Sequence, residues 1–202
     1  MKTLYLILLL FTNCLLAQEL PVLSTTSLAN PDHNNSIFCN DGNYAQDTAN
    51  EREQYVGTWE YREKNVLFQL KIEKGDKHLT KWENNGKVSR YNYSDVVFFK
   101  YKLIVKGNVI FDNLNQDIYF QEDVYPLATK MGSHEDLGGI FIDVTKNIGS
   151  TLTIKRLNTA PAKIIFNLSS INSFPLKPGQ DYNPDHPDFT VPTGEIEMIK
   201  IN

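Results

Sequence analysis

From Tyr55 onward, apolar and polar residues alternate with a period of two, the mark of strands buried on one face and wet on the other. Trp59 and Tyr61 fall on one face with Glu60 and Arg62 opposite, and Phe68, Leu70 and Ile72 repeat the pattern against Gln69, Lys71 and Glu73. Lys74-Gly75-Asp76 reads as a turn, after which Lys77–Trp82 continues the meander. Asn84-Asn85-Gly86 predicts a tight hairpin, because Asn-Gly accepts the positive φ angles of a type I′ turn. The densest strand runs from about Asp95 to Val105, and Lys106-Gly107-Asn108 turns it back into Val109-Ile110-Phe111. Ile118-Tyr119-Phe120 is a shorter run and 121–136 a mixed, polar loop. Ile140-Phe141-Ile142, Thr151–Leu157 and Lys163–Leu168 supply three more strands. Pro175, Pro178, Gly179, Pro184 and Pro187 break up 169–188 before a closing strand at Glu195–Ile201.

The part of the chain ahead of this meander is different. Residues 18–46 are rich in turn formers (Ser24-Thr25-Thr26-Ser27, Asn30-Pro31-Asp32, His33-Asn34-Asn35-Ser36) and read as an irregular arm. Thr48-Ala49-Asn50-Glu51 has the spacing of a reciprocal N-terminal box and predicts a short helix over about 48–55, ended by Gly57. Met1-Lys2, the apolar run Leu4 to Phe11 and Leu15-Leu16-Ala17 read as a secretory signal peptide of residues 1–17, cleaved before Gln18. A rival reading, lipid anchoring through Cys14, is disfavoured because Asn13 stands where a small residue is wanted. After cleavage Cys39 would be the only cysteine, so the fold must rest on its core, not on an internal disulfide. The expected organisation is thus signal peptide 1–17, arm 18–46 and a single domain over 47–202.

About eight to ten short strands in sequence order, joined mostly by tight turns, suit an up-and-down barrel or an antiparallel sandwich. The helical segment, Gly57-x-Trp59 on the first strand and the meander behind it resemble a lipocalin or related calycin barrel. More closely, the mature chain resembles a family of small secreted bacterial proteins of unknown function, in the Tyr55–Trp59 segment, Gly139–Leu157, Ala162–Asn167 and the tail ending Ile199-Lys200-Ile201. The resemblance implies an all-β fold, a single antiparallel up-and-down lipocalin-like barrel with a short N-terminal helix, and no established activity. It also implies that Trp59 packs across the barrel base. Calycins cap that Trp with an Arg of the last strand, where this chain offers only Lys200. Arg156, two strands earlier, shares a face with Leu152 and Ile154. The default reading sends it to solvent along its aliphatic stem; the alternative closes it over an aromatic ring.

Charge and chemistry narrow the function classes. There are 20 Lys and Arg against 24 Asp and Glu, dispersed along the chain, so no basic stripe for nucleic acid is present. No second apolar segment exists for membrane insertion. Asp181–Asp188 begins like a calcium loop but has His186 where Gly is needed and Pro192 where a bidentate Glu is needed. Ser133-His134-Glu135-Asp136 lacks a second His at ligand spacing and a nucleophile motif, and the four His are scattered singly. No catalytic residue, metal site or cofactor is therefore assigned.

The aromatic complement, with 10 Tyr and 11 Phe, has two readings. It lines an apolar cavity, or it fills a small barrel completely. In the first, the protein is an exported barrel holding a small apolar or amphipathic ligand, with Trp59, Tyr61, Phe68, Leu70, Phe99, Tyr101 and Arg156 as the candidate binding residues. In the second, it is an interaction protein meeting an envelope protein partner through loops or a strand edge. An enzyme ranks behind both, since it needs the 134–136 and 181–188 loops to converge on one cleft.

Overall fold

A computed structural model describes residues 20–28, 40–116, 136–171, 173–176, 179, 181–183 and 188–201. Its strands are β1 (Ser24–Ser27), β2 (Asn43–Gln46), β3 (Gly57–Glu63), β4 (Val66–Asn84), β5 (Lys87–Val105), β6 (Asn108–Asp112), β7 (Leu137–Asp143), β8 (Ile148–Leu157), β9 (Lys163–Leu168), β10 (Phe174–Pro175) and β11 (Gly194–Lys200). The chain is all-β, as the alternation implies. The expected signal peptide, Cys14, Cys39, the 118–120 strand, His134, Glu135 and His186 lie outside the described residues.

The antiparallel up-and-down barrel is corrected to an open, mixed sheet. Neighbours run β1-β2-β5-β4-β3-β11-β9-β8-β10, with β6 added to β5 and β7 to β8. β1–β2 and β2–β5 are parallel. Among the described residues no ladder joins β6 to β7, so the path keeps two ends. A local cause is visible after β6. Tyr101 N donates to Asn113 Oδ1 (2.7 Å), and Asn113 N donates to Tyr101 O (3.1 Å). One Asn thereby satisfies both backbone groups of Tyr101, and among the described residues the β5–β6 ladder stops there.

The sheet nevertheless curls on itself. Tyr101 of β5 and Phe141 of β7 stand six strands apart along the path, yet their ring centroids are 5.4 Å apart. Phe68 meets Phe166 at 5.5 Å and Phe141 meets Phe166 at 5.7 Å, both edge-on. These rings, with Leu70, Ile72, Leu103, Leu152, Ile154, Ile164, Leu168 and Met198, fill the concave side. The alternation of β4 is what delivers Phe68, Leu70 and Ile72 to that side.

Three local expectations also change. The helix at 48–55 is a single 3-10 turn, Glu51–Tyr55, preceded by Asn50 in the left-handed region with no side-chain cap. The acceptor lies upstream of the Thr-x-x-Glu box. Asp47 receives Glu51 N at 2.9 Å and Arg52 N at 3.1 Å, while the Thr48 hydroxyl bonds Ser27. The segment read as an irregular arm contributes β1 and β2, pinned by Ser24 Oγ to Asn43 Oδ1, Asn43 Nδ2 to Thr26 Oγ1, and the Tyr91 and Tyr93 hydroxyls to Pro21 O and Leu20 O. Lys74-Gly75-Asp76 is not a turn. β4 runs through it with a bulge between Gly75 and His78, and Lys77 takes a φ of 50°. The Asn84-Asn85-Gly86 hairpin stands as read, with Asn85 at φ 52° and Gly86 at φ 72°.

Candidate functional site

At the end of the curled sheet where β3 meets β11, Trp59 is fully buried between Leu70 and Lys200 of its two neighbouring strands. Its indole Nε1 donates to Tyr55 O at 2.8 Å, which ties the ring to the last residue of the 3-10 turn. Gly57 opens β3 at a φ of 129°, a conformation side chains with a Cβ rarely adopt. Two cations approach the indole: Arg156 Cζ lies 5.4 Å from its centroid and Lys200 Nζ 5.5 Å. Each contact of this kind is worth about 0.5–2 kcal/mol. Arg156 thus turns over the ring instead of leaving for solvent. Its Nη1 donates to Leu157 O and to Lys163 O, the latter at 2.7 Å.

Above this floor lies a cleft of about 520 Å³. Leu28, Tyr55, Leu137 and Leu157 give it apolar wall; Glu51, Gln54, Asp136, Arg156 and Asn158 give it polar wall. Asp47 and Arg52 complete the lining. Its volume falls within the range of small-molecule sites, roughly 300–1,000 Å³. The described residues hold no group of three or more His, Cys, Asp or Glu placed for a metal ion.

The rigidity of one wall comes from Arg52, which is buried. Nε donates to Asp47 (2.9 Å), Nη1 to Gly75 O (3.1 Å) and Val96 O (2.8 Å), and Nη2 to Asp76 (2.8 Å), with Asp95 at 3.3 Å. Asp95 also accepts from the Tyr44 hydroxyl (2.7 Å), Asp47 N (2.8 Å) and Lys77 N (3.0 Å). One cluster therefore joins β2, the 3-10 turn, the β4 bulge and β5. Burial pushes the Asp47 carboxyl up, but the Glu51 and Arg52 amides and the Arg52 guanidinium outweigh it and hold the group below its ordinary value. Burial and the bond to Asp95 raise the Tyr44 phenol.

Of the seven residues expected to bind ligand, Arg156 alone lines the cleft. Trp59, Phe68, Leu70 and Tyr101 are buried in the core, and Tyr61 and Phe99 pack against it. Of the two acidic loops only Asp136, residues 181–183 and Asp188 are described. Asp136 lies in the cleft, whereas Asp188 pairs with Lys146 and Tyr182 bonds Ser173. Sequence reasoning missed Asp47, Glu51, Arg52, Gln54, Leu137 and Asn158. Leu137 begins a strand at the margin of a polar stretch, and the others sit in segments without alternation, so no periodic signal marked them.

Residues 1–201 match the model of a Family of unknown function (DUF6705), and the chain belongs to that family. No curated protein and no solved structure matches it.

Proposed function

We propose, taking membership of a family with no assigned activity as the premise, that the protein is an exported binding module for a small amphipathic molecule. The site is the cleft beside Trp59, not the concave interior. The observation that carries the reading is the cleft itself: about 520 Å³, with apolar residues on one part of its wall and Arg156 with Glu51, Gln54 and Asn158 on another. A molecule with an apolar body and a polar end suits such a lining. In this reading the ligand stays outside the core, because the ring contacts among Phe68, Tyr101, Phe141 and Phe166 occupy the space a lipocalin-like container would leave. The resemblance to calycins is confined to the Trp59 end, where Arg156 and Lys200 approach the indole. The reading gives the protein no reaction to catalyse.

The test is titration with an environment-sensitive amphipathic fluorophore. Saturable emission is expected, and Leu157→Trp, which fills the cleft from its rim, should weaken it at least about tenfold, as loss of the cleft's apolar contacts requires. An unsaturable signal, or one indifferent to Leu157→Trp in a variant that melts like the parent, would discard the cleft as the site.

A further inference from the structure

The β4–β5 hairpin runs beyond the rest of the sheet, and all ten residues from 81 to 90 at its end are exposed. The tip carries Lys81, Lys87 and Arg90 against a single acid, Glu83, in a chain whose net charge is −4. Its sign is opposite to that of the protein bearing it. Glu83 is already engaged by Lys81 at 2.7 Å. Among the described residues, neither Lys87 nor Arg90 has a carboxylate within ion-pair distance.

The tip also carries an exposed apolar side chain on each face. Trp82 stands directly opposite Arg90 across the hairpin and shares its face, and the bulge at Ser89 turns Val88, which pairs with Glu83, to the other face. The Arg90 guanidinium stacks over the Trp82 ring with Cζ 4.1 Å from the centroid. Trp82 and Val88 stay exposed to solvent, unlike the other indole, Trp59, which is fully buried. The type I′ turn at Asn85-Gly86 and the Ser89 hydroxyl bond to Trp82 O (2.9 Å) hold the two strands together out to this end.

We infer that this hairpin docks the protein peripherally on the headgroup layer of a bilayer containing anionic lipid, with Lys87 and Arg90 on the headgroups and Trp82 at the interface. Indole prefers that zone because one part of it is apolar and the N–H needs a partner. Basic side chains add attraction to an anionic leaflet, and a ring already covered by an arginine carries its cation with it. A nucleic acid or an acidic polysaccharide would account for the cations and Trp82 but not for Val88 exposed on the opposite face, whereas a tip entering the headgroup layer meets the interface on both faces. The opposite net charge of the remainder turns the tip, and not another face, toward the surface.

The experiment is co-sedimentation of the natively processed protein with vesicles of phosphatidylcholine plus phosphatidylglycerol, against phosphatidylcholine alone. The inference expects binding to the mixed vesicles only, weakened by salt, with a blue shift in emission that reports Trp82 because Trp59 is already buried. Lys87→Glu and Arg90→Glu should each lower affinity by at least about fivefold. Trp82→Ala should abolish the blue shift, and since every substituted side chain is exposed, melting should be unchanged. Absence of binding to mixed vesicles overturns the inference. So does binding to DNA as tight as to vesicles with no emission shift, which would make the tip a general polyanion contact. Binding that survives all three substitutions would place the membrane contact elsewhere and overturn it too.

Discussion

Arg52 directs four guanidinium hydrogen bonds and a further ion pair to partners from three parts of the chain. Replacing it by Ala would leave Asp47 and Asp95 buried without their cation, a loss of about 3–5 kcal/mol by the usual cost of breaking a buried pair. Urea unfolding at neutral pH measures it. The pH dependence has a definite sign. Asp47 is held below its ordinary carboxylate value in the folded state, so its contribution is present above about pH 3.9, the unfolded value, and fades as pH falls through the lower folded value. Asp47→Asn should flatten that acid limb of the stability curve, and Arg52→Ala should shrink it. Little of this cluster is legible in the sequence. Asp47 and Asp95 are 48 positions apart, and Arg52 sits in a segment whose nearest recognisable signal, Thr48-x-x-Glu51, points to a cap the protein does not use. Trp59 was legible because its strand alternates, though the cations above it come from β8 and β11 and meet only through the curl.

At the scale of elements, the same residue type meant two different things. Asn84-Asn85-Gly86 is a turn because the chain there needs positive φ, and Asn-Gly supplies it. Gly75 resembles a turn residue but serves a packing need within a 19-residue strand. A Cβ placed on Gly75 would fall 2.0 Å from Phe98 Cε2, and that ring is buried, with His78 edge-on at 5.9 Å. Gly75→Ala should therefore destabilise by about 1–3 kcal/mol, the range for overpacking a core. Phe98→Leu in the same chain should return part of that loss, so the double variant is less destabilised than the sum of the singles in thermal or urea melts. If the singles add, Gly75 matters for backbone freedom and not for the ring. β1 and β2 escaped notice for a different reason. Their residues, Ser-Thr-Thr-Ser and Asn-Tyr-Ala-Gln, carry no apolar alternation, and side-chain bonds hold them where burial alone would not.

For the whole molecule, the question is how an unclosed sheet keeps a dry interior. Side chains span the gap that no ladder among the described residues crosses. The Tyr101 hydroxyl donates to Asp143 at 3.4 Å and accepts from Val144 N at 3.1 Å, joining β5 to the end of β7. The fully buried Asp143 also accepts from the Thr145 hydroxyl (2.7 Å) and from Thr190 through its amide (2.6 Å) and hydroxyl (2.7 Å), which draws in the segment leading to β11. Behind this seam the four rings of Phe68, Tyr101, Phe141 and Phe166 meet in a continuous contact set. A solid interior and a container respond oppositely to the loss of one ring. In a solid core, Phe166→Ala removes packing on every side and leaves a void, which costs about 3–5 kcal/mol in urea unfolding. In a container, the same change enlarges a space that already exists, the loss is small, and fluorophore binding rises. The edge-on contacts of Phe166 with Phe68 and Phe141 require the first result, with binding at the cleft unchanged under conditions where the variant stays folded. A stable Phe166→Ala protein with raised fluorophore affinity would move the ligand site from the cleft into the sheet's concave side.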